Sequence, residues 1–399
     1  MSDLNVDDIK KQLSIRKVLI PVVIGLLAAG YMLYSSLTAV RYEPIPSGDY
    51  IWVDSNDDGK IDPANDEEFI LSESGAGNYE RVTYRDTLRK IDWSGTALFF
   101  FALAIACLII RVGGYIFRLR VLSDKQFTWR QCFDVVMLWE FASALTPSVV
   151  GGSAVAIFFL NREGMNLGKS TAIVMVTAMM DEIFYVSMVP LILIFVGMAG
   201  LFPADWEQSL FGFTLTAEGL FWVGYLFTFV LLMILVYAIF INPRAFRYVL
   251  LKLFSLPFLR KWRYRIVAWG DDLMTTSREL KNQKSGYWFK GLAATFASWS
   301  ARFLLLNCLL MMVVPGIDNL LAYAKQIVMW MIMLISPTPG SSGVAEFAFY
   351  EFFGGSVVPV TVVGLLAILW RLMTYFPYLF AGVLILPSWI RRTAHHDNR

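Results

Sequence analysis

Long apolar blocks constrain this chain more than any other feature. A bilayer-spanning helix needs about 20 predominantly apolar residues. Val18–Val40, Trp93–Ile110, Ser170–Leu201, Ala217–Ile241, Trp288–Val313 and Val357–Pro387 meet or approach that length. Trp129–Leu160 and Leu320–Phe353 are apolar too, but each is interrupted by Pro and Gly. Of the 399 residues, 57% are hydrophobic and 17% charged, against about 45–50% and 25% in a soluble domain. The expected fold is an all-α polytopic membrane protein.

The first run has the position of a signal peptide. Its leading tail carries Asp3, Asp7 and Asp8, however, and the run exceeds the usual apolar core of about 7–15 residues. It reads as a retained first span, 18–40, behind a tail of residues 1–17. Cys107, Cys132 and Cys308 each sit in an apolar stretch and read as packing residues, not as a disulfide or metal set. The two histidines, His395 and His396, lie in the polar tail. A Ser-His triad or a histidine metal site within the spans is therefore excluded.

The net charge is only +2, but it is unevenly placed. Arg41–Asp92 holds 6 Lys/Arg against 13 Asp/Glu, whereas Arg111–Arg130 has five bases to one acid and Asn242–Lys290 eleven to three. Basic excess marks the cytoplasmic side. The expectation is a multi-pass protein of the cell (inner) membrane with both termini cytoplasmic, an acidic outside insert at 41–92, a basic cytoplasmic loop at 242–290 and a cytoplasmic tail at 391–399. Six crossings satisfy this assignment if the two broken runs enter and leave on one side, as re-entrant helical hairpins from opposite faces. The basic, aromatic stretch Arg260-Lys-Trp-Arg-Tyr-Arg265 suits anionic inner-leaflet lipid, worth about 1 kcal/mol per base, better than nucleic acid.

The broken runs resemble each other. One reads Ala144-Leu-Thr-Pro-Ser-Val-Val-Gly-Gly152 and the other Ile335-Ser-Pro-Thr-Pro-Gly-Ser-Ser-Gly343, with Pro147–Gly151 and Pro339–Gly343 at the same spacing. Trp93 to Trp288 is 195 residues, Pro147 to Pro339 is 192, and Arg111 to Arg302 is 191. Two units of opposite orientation, about 93–201 and 288–388, make an inverted repeat, which in transporters places a substrate site at the repeat interface. The breaks expected there are Pro147, Gly151, Gly152, Pro337, Pro339, Gly340 and Gly343. Irregular backbone at membrane depth must be buried in protein or line a wet cavity, and a helix starting after each break would aim N–H groups at an anion. Two merely kinked helices would give the same pattern.

Glu140, Asp181, Glu182, Arg302, Lys325, Glu346, Glu351 and Arg371 fall within or near apolar runs. An isolated charge at the bilayer centre costs at least about 2.5–3.5 kcal/mol, so most must pair or face a polar cavity. Lys325 and Glu351 are expected to snorkel to an interface. Arg302 and Arg371 are expected to bind phosphate, with Asp181, Glu182, Glu346 and Glu140 as the acidic part of the same substrate site. Together they suit a lipid with a charged head group.

Leu145-Thr-Pro-Ser-Val-Val-Gly-Gly with Phe159-Leu-Asn-Arg-Glu-Gly164, and Pro337-Thr-Pro-Gly-Ser-Ser-Gly-Val-Ala-Glu346 with Ala367-Ile-Leu-Trp-Arg371, resemble the two signatures of the lysylphosphatidylglycerol synthase transmembrane-region family, the flippase-like domain family of bacteria and archaea. The resemblance covers roughly residues 93–390. It implies translocation of aminoacylated phospholipid or, in members without the soluble aminoacyl-transferase domain, of other lipids, including polyprenyl-linked or glycosylated ones. This chain stops at Arg399, so a lysyl-transferring enzyme is not expected.

The insert lies outside the resemblance. Asp54, Asn56, Asp58, Lys60 and Asp62 match the start of a calcium loop, with Gly59 at the turn position and Asn65 in place of the terminal Glu. The flanking Tyr50-Ile-Trp-Val and Phe69-Ile-Leu suggest a β-hairpin. Calcium is the one cofactor the sequence suggests, and none is required. The functional expectation is a lipid flippase moving an anionic, zwitterionic or aminoacylated phospholipid, or another lipid-linked substrate, by alternating access. No ATP-binding signature occurs, so movement would be passive or coupled to an ion gradient. The alternatives are an intramembrane lipid head-group transferase or hydrolase, and a non-transporting scaffold for a separate lipid-modifying enzyme.

Overall fold

A computed structural model describes residues 40–55, 61, 65–72, 77–83, 93–145, 148–203, 207–210, 213–245, 275–334, 344–354, 357–358 and 360–394, and positions 34, 248 and 252. The expected first span lies almost wholly outside these residues. Four strands open the described chain: β1 (Val40–Gly48), β2 (Tyr50–Trp52), β3 (Phe69–Leu71) and β4 (Gly77–Thr83). The helices are α1 (Gly95–Leu122), α2 (Trp129–Leu145), α3 (Ser148–Arg162), α4 (Leu167–Val196), α5 (Ala217–Val236), α6 (Ser285–Val313), α7 (Asn319–Met333), α8 (Val344–Phe353), α9 (Val360–Thr374) and α10 (Phe376–Ala394). A two-stranded ribbon of β5 (Glu207–Leu210) and β6 (Phe213–Thr216) precedes α5.

Among the described residues, five helical stretches are long and apolar enough to cross a membrane: Gly95–Leu122, Leu167–Val196, Ala217–Ile241, Ser285–Val313 and Val362–Thr393. Their starts follow local chemistry. Ser94 Oγ accepts from Ala97 N at 3.3 Å, Asn166 Oδ1 from Lys169 N at 2.7 Å, and Thr216 Oγ1 from Gly219 N at 3.2 Å, each capping a free helix donor. Phe99, Ile109, Ile194, Phe195, Leu226 and Leu384 are more than half exposed. A belt of large apolar side chains is a liability in water and a fitting surface in lipid.

The two broken runs each fold as a pair of short helices. α2 and α3 have 17 and 15 residues, α7 and α8 have 15 and 10, all short of a full span. Of the residues expected at the breaks, Pro147, Pro337, Pro339, Gly340 and Gly343 lie outside the described residues, and Gly151 lies in the first turns of α3. Gly152 sits where α3 crosses α2. A Cβ there would lie 2.0 Å from Ser143 Oγ and 3.0 Å from its Cα, so any larger residue must push the two helices apart. Gly152→Val is expected to cost about 1–3 kcal/mol, read as a lowered unfolding midpoint in detergent; an unchanged midpoint would show that the crossing has slack.

α1 and α6 are the first long helices of the two segments expected to correspond. They make the most extensive helix–helix contact among the described elements. Leu122 O accepts from Tyr287 Oη at 3.1 Å, Arg118 Nη1 donates to Thr295 at 2.9 Å, and Arg111 O accepts from Ser298 Oγ at 2.6 Å. Numbers fall on one helix as they rise on the other, so α1 and α6 run antiparallel. Gly114 permits the approach: its Cβ would meet Ser298 Cβ at 3.0 Å and Ala294 O at 3.1 Å.

Three expectations need correction. Residues 111–122 were expected in a cytoplasmic loop but continue α1, because Val112–Leu122 is itself largely apolar. Arg111 and Arg118 fall on its inner stripe, each 3% exposed. Lys325 does not snorkel: it is 2% exposed, and its Nζ donates to Phe352 O at 2.9 Å, meeting a carbonyl at the end of α8. Arg391 and Arg392, expected in a tail, belong to α10. Arg392 pairs with Asp134 of α2 at 2.6 Å and with Glu163 beyond α3, and Glu163 also accepts from Gln131 at 2.8 Å and Trp389 at 2.7 Å.

The insert holds more than the expected hairpin. β2 and β3 do pair, Tyr50 with Leu71 and Trp52 with Phe69, within a four-stranded antiparallel sheet of order β1-β4-β2-β3. Tyr42 stacks on Phe69 at 4.2 Å between ring centroids. Glu68 is fully buried and accepts from Trp52 Nε1 at 3.0 Å and Asn65 Nδ2 at 2.8 Å. Of the calcium-loop residues, Asp54 is partly buried, while Asn56, Asp58, Lys60 and Asp62 lie outside the described residues. Asn65, in the terminal-ligand position, is engaged internally: its Oδ1 accepts from Glu67 N at 3.2 Å.

Candidate functional site

Polar side chains in the apolar runs cluster by helical spacing. On α1, Arg111, Tyr115 and Arg118 stand at i, i+4 and i+7, so they share a face. On α6, Thr295, Ser298, Trp299 and Arg302 follow i, i+3, i+4 and i+7. Arg371, Tyr375 and Tyr378 repeat the i, i+4, i+7 spacing from α9 into α10. These stripes meet Glu140 of α2, Asp181, Glu182 and Tyr185 of α4, and Trp330 of α7 around a cavity of about 290 Å³.

Two ion pairs brace its wall. Arg118 grips Asp181 with both terminal nitrogens, at 2.5 and 3.3 Å, and Asp181 also accepts from Trp299 Nε1 at 2.7 Å. Arg111 meets Glu140 at 3.4 Å, donates to Ser298 Oγ at 3.2 Å, and lies over the Tyr115 ring at 3.6 Å and the Trp299 ring at 4.5 Å. Aromatic faces favour guanidinium, so these rings help hold charge inside an apolar bundle. Arg302 is different. It lies over Trp330 at 4.5 Å and Trp299 at 5.5 Å and makes no ion pair with a described residue. Arg371, 9% exposed, lies over Tyr375 at 4.9 Å.

Of the six charged residues expected to bind substrate, Arg302, Arg371, Asp181, Glu182 and Glu140 all line this cavity. Asp181 and Glu140 are held by arginines from α1, and Glu346 is placed only by its backbone, in α8. Residues on either side of the expected breaks also border the cavity: Ser143, Ala144 and Ser153 around the first, and Met333, Leu334 and Ala345 around the second. Arg111 and Arg118 were missed by sequence reasoning because they were counted as loop bases. Their seven-residue spacing, with Tyr115 between them, was the available signal. The wall of Tyr115, Trp139, Tyr185, Trp299, Trp330 and Tyr378 was missed too, since aromatic residues in a span read simply as apolar.

The helices and the enclosed charges define a polytopic α-helical membrane protein with a polar cavity inside its bundle. The chain belongs to the family of the lysylphosphatidylglycerol synthase TM region, whose family model matches residues 83–382; the resemblance seen at 93–390 is thereby borne out. It is also 24% identical over 316 residues to a UPF0104 membrane protein of Archaeoglobus fulgidus, covering 76% of this chain and 91% of that protein. No solved structure matches.

Proposed function

We propose that this protein moves a lipid with a phosphate-bearing polar head group between membrane leaflets, the head group passing through the central cavity while its tails stay in lipid. One observation carries the reading: four guanidinium groups, Arg111, Arg118, Arg302 and Arg371, and the flanks of both helix breaks border one cavity. Guanidinium binds phosphate in two-pronged fashion, and helix starts add oriented N–H groups. Antiparallel corresponding helices supply the two-fold pseudosymmetry that alternating access uses. In the orientation we favour, both termini face the cytoplasm and the β-sheet insert faces outward.

The enzyme alternative is weakened by the carboxylates. Acid–base chemistry on a head group commonly uses a pair of carboxyl groups free to exchange protons, yet of the cavity carboxylates Glu140 and Asp181 are tied to Arg111 and Arg118, which leaves Glu182 alone for such a role. Reconstitution tests the reading directly. Proteoliposomes carrying the full chain and tail-labelled phospholipids are expected to move label between leaflets well above protein-free vesicles. Head-group turnover without leaflet transfer would support the enzyme instead, and neither would leave the scaffold.

A further inference from the structure

Four polar side-chain atoms buried in the described structure have no hydrogen-bond partner there: Arg111 Nε, Glu182 Oε2, Tyr185 Oη and Trp330 Nε1. All four residues line the central cavity. Buried polar groups are nearly always satisfied, and an orphan calls for a specific explanation. Three of these atoms are donors and one is a carboxyl oxygen, so whatever satisfies them must offer both acceptors and a donor.

The charges narrow this further. Arg111 pairs with Glu140 and Arg118 with Asp181, whereas Arg302 makes no ion pair with a described residue and lies beside the orphan nitrogen of Trp330. Glu182 is 8% exposed. Its described neighbours do not neutralise it. Asp181, on its own helix, is acidic and engaged with Arg118 and Trp299. From α5, the Thr228 hydroxyl lies beside the carboxyl, and from α7, Met331 contacts Thr228 at 3.9 Å. A buried carboxylate without a cation is costly. Tyr185 stands three positions beyond Glu182, and side chains so spaced on a helix lie about 5–6 Å apart, a separation that a head group with a two-carbon spacer can bridge.

We infer that the cavity selects a zwitterionic head group, a phosphate diester joined through a short spacer to an ammonium group that bears N–H, with Glu182 as the residue that reads the ammonium. The phosphate lies against Arg302, Trp330 Nε1 and Tyr185 Oη, and the ammonium donates to Glu182 Oε2. A glycerol head group would supply a hydroxyl donor but leave the carboxylate charge uncancelled. A choline head group would supply charge but no N–H. The inference rests on the transport reading and deepens it.

The test uses proteoliposomes of the full chain with tail-labelled phospholipids that differ only in head group: ethanolamine, glycerol or choline. The parent protein is expected to move the ethanolamine lipid at least about tenfold faster than the other two, the worth of a charge-assisted hydrogen bond. In Glu182→Gln the ratio of ethanolamine to glycerol rates is expected to collapse toward one. Equal rates for ethanolamine and glycerol in the parent, or an unchanged ratio in Glu182→Gln, would overturn the inference while leaving the transport reading standing. A choline lipid moved as fast as ethanolamine would overturn the hydrogen-bonding role of Glu182. Failure to move any phospholipid would instead refute the transport reading. If Glu182→Gln does not fold, the head-group order of the parent still decides.

Discussion

Arg118→Ala is expected to destabilise the protein by about 3–5 kcal/mol, the cost of stranding one partner of a buried ion pair. The arginine is nearly inaccessible, its side chain 4% exposed and that of Asp181 20%. It donates twice to the carboxylate and once to Thr295. Removing it leaves Asp181 with the Trp299 nitrogen as its remaining hydrogen-bond donor among the described residues, inside an apolar bundle. The pair also ties α1 to α4 and, through Thr295 and Trp299, both to α6. Unfolding by SDS titration in mixed micelles measures the loss. Replacing both charges, as in Arg118→Met with Asp181→Leu, is expected to recover most of it, because a well-packed apolar pair carries no desolvation cost. A single variant as stable as the parent would show that Asp181 finds another partner, and would return Arg118 to the set of groups available to substrate.

Arg302→Ala is expected to show the opposite pattern. This guanidinium rests on Trp330 and Trp299 and makes no ion pair with a described residue. Its loss strands no carboxylate, so stability should change by less than about 1 kcal/mol, in the range of a cation–π contact. Leaflet transfer, however, should fall by about ten- to a hundredfold, since charge-assisted hydrogen bonds to phosphate are worth about 1.5–3 kcal/mol. Arg302→Lys should recover only part of the rate, because an ammonium keeps the charge but not the two-pronged grip. Transfer unaffected in Arg302→Ala would remove the phosphate from this position. A large loss of stability would make Arg302 a structural residue like Arg118. The contrast between the two arginines is therefore the sharper experiment: a shared place in the cavity wall does not imply a shared role.

Much of this was legible in the sequence. Hydropathy located the spans because bilayer thickness imposes a length on every crossing. Gly152 marked a point of close helix approach within an interrupted run, since glycine has no Cβ to obstruct it. The 191-residue interval from Arg111 to Arg302 joined two cavity-lining arginines before the cavity was seen. Other features resisted the same reading. Charge counting assigned Arg111 and Arg118 to a loop, because a sum over a segment is blind to which face of a helix a residue occupies. Lys325 was expected at an interface, since nothing local announces that a carbonyl at the end of another helix will meet its amine.

By itself, then, the sequence determined that the chain lives in a membrane, roughly where its long helices lie, and which charges lie deep enough to need a partner. Only the tertiary structure decided the partners. Arg118 and Asp181 are 63 positions apart and Arg111 and Ser298 are 187 apart, and no local pattern connects them. The physical reason is that partition into lipid depends on each segment's own composition, whereas pairing depends on the packing of helices. That packing separates Arg118, which braces the bundle, from Arg302 and Glu182, which line the same cavity without an ion pair to a described residue.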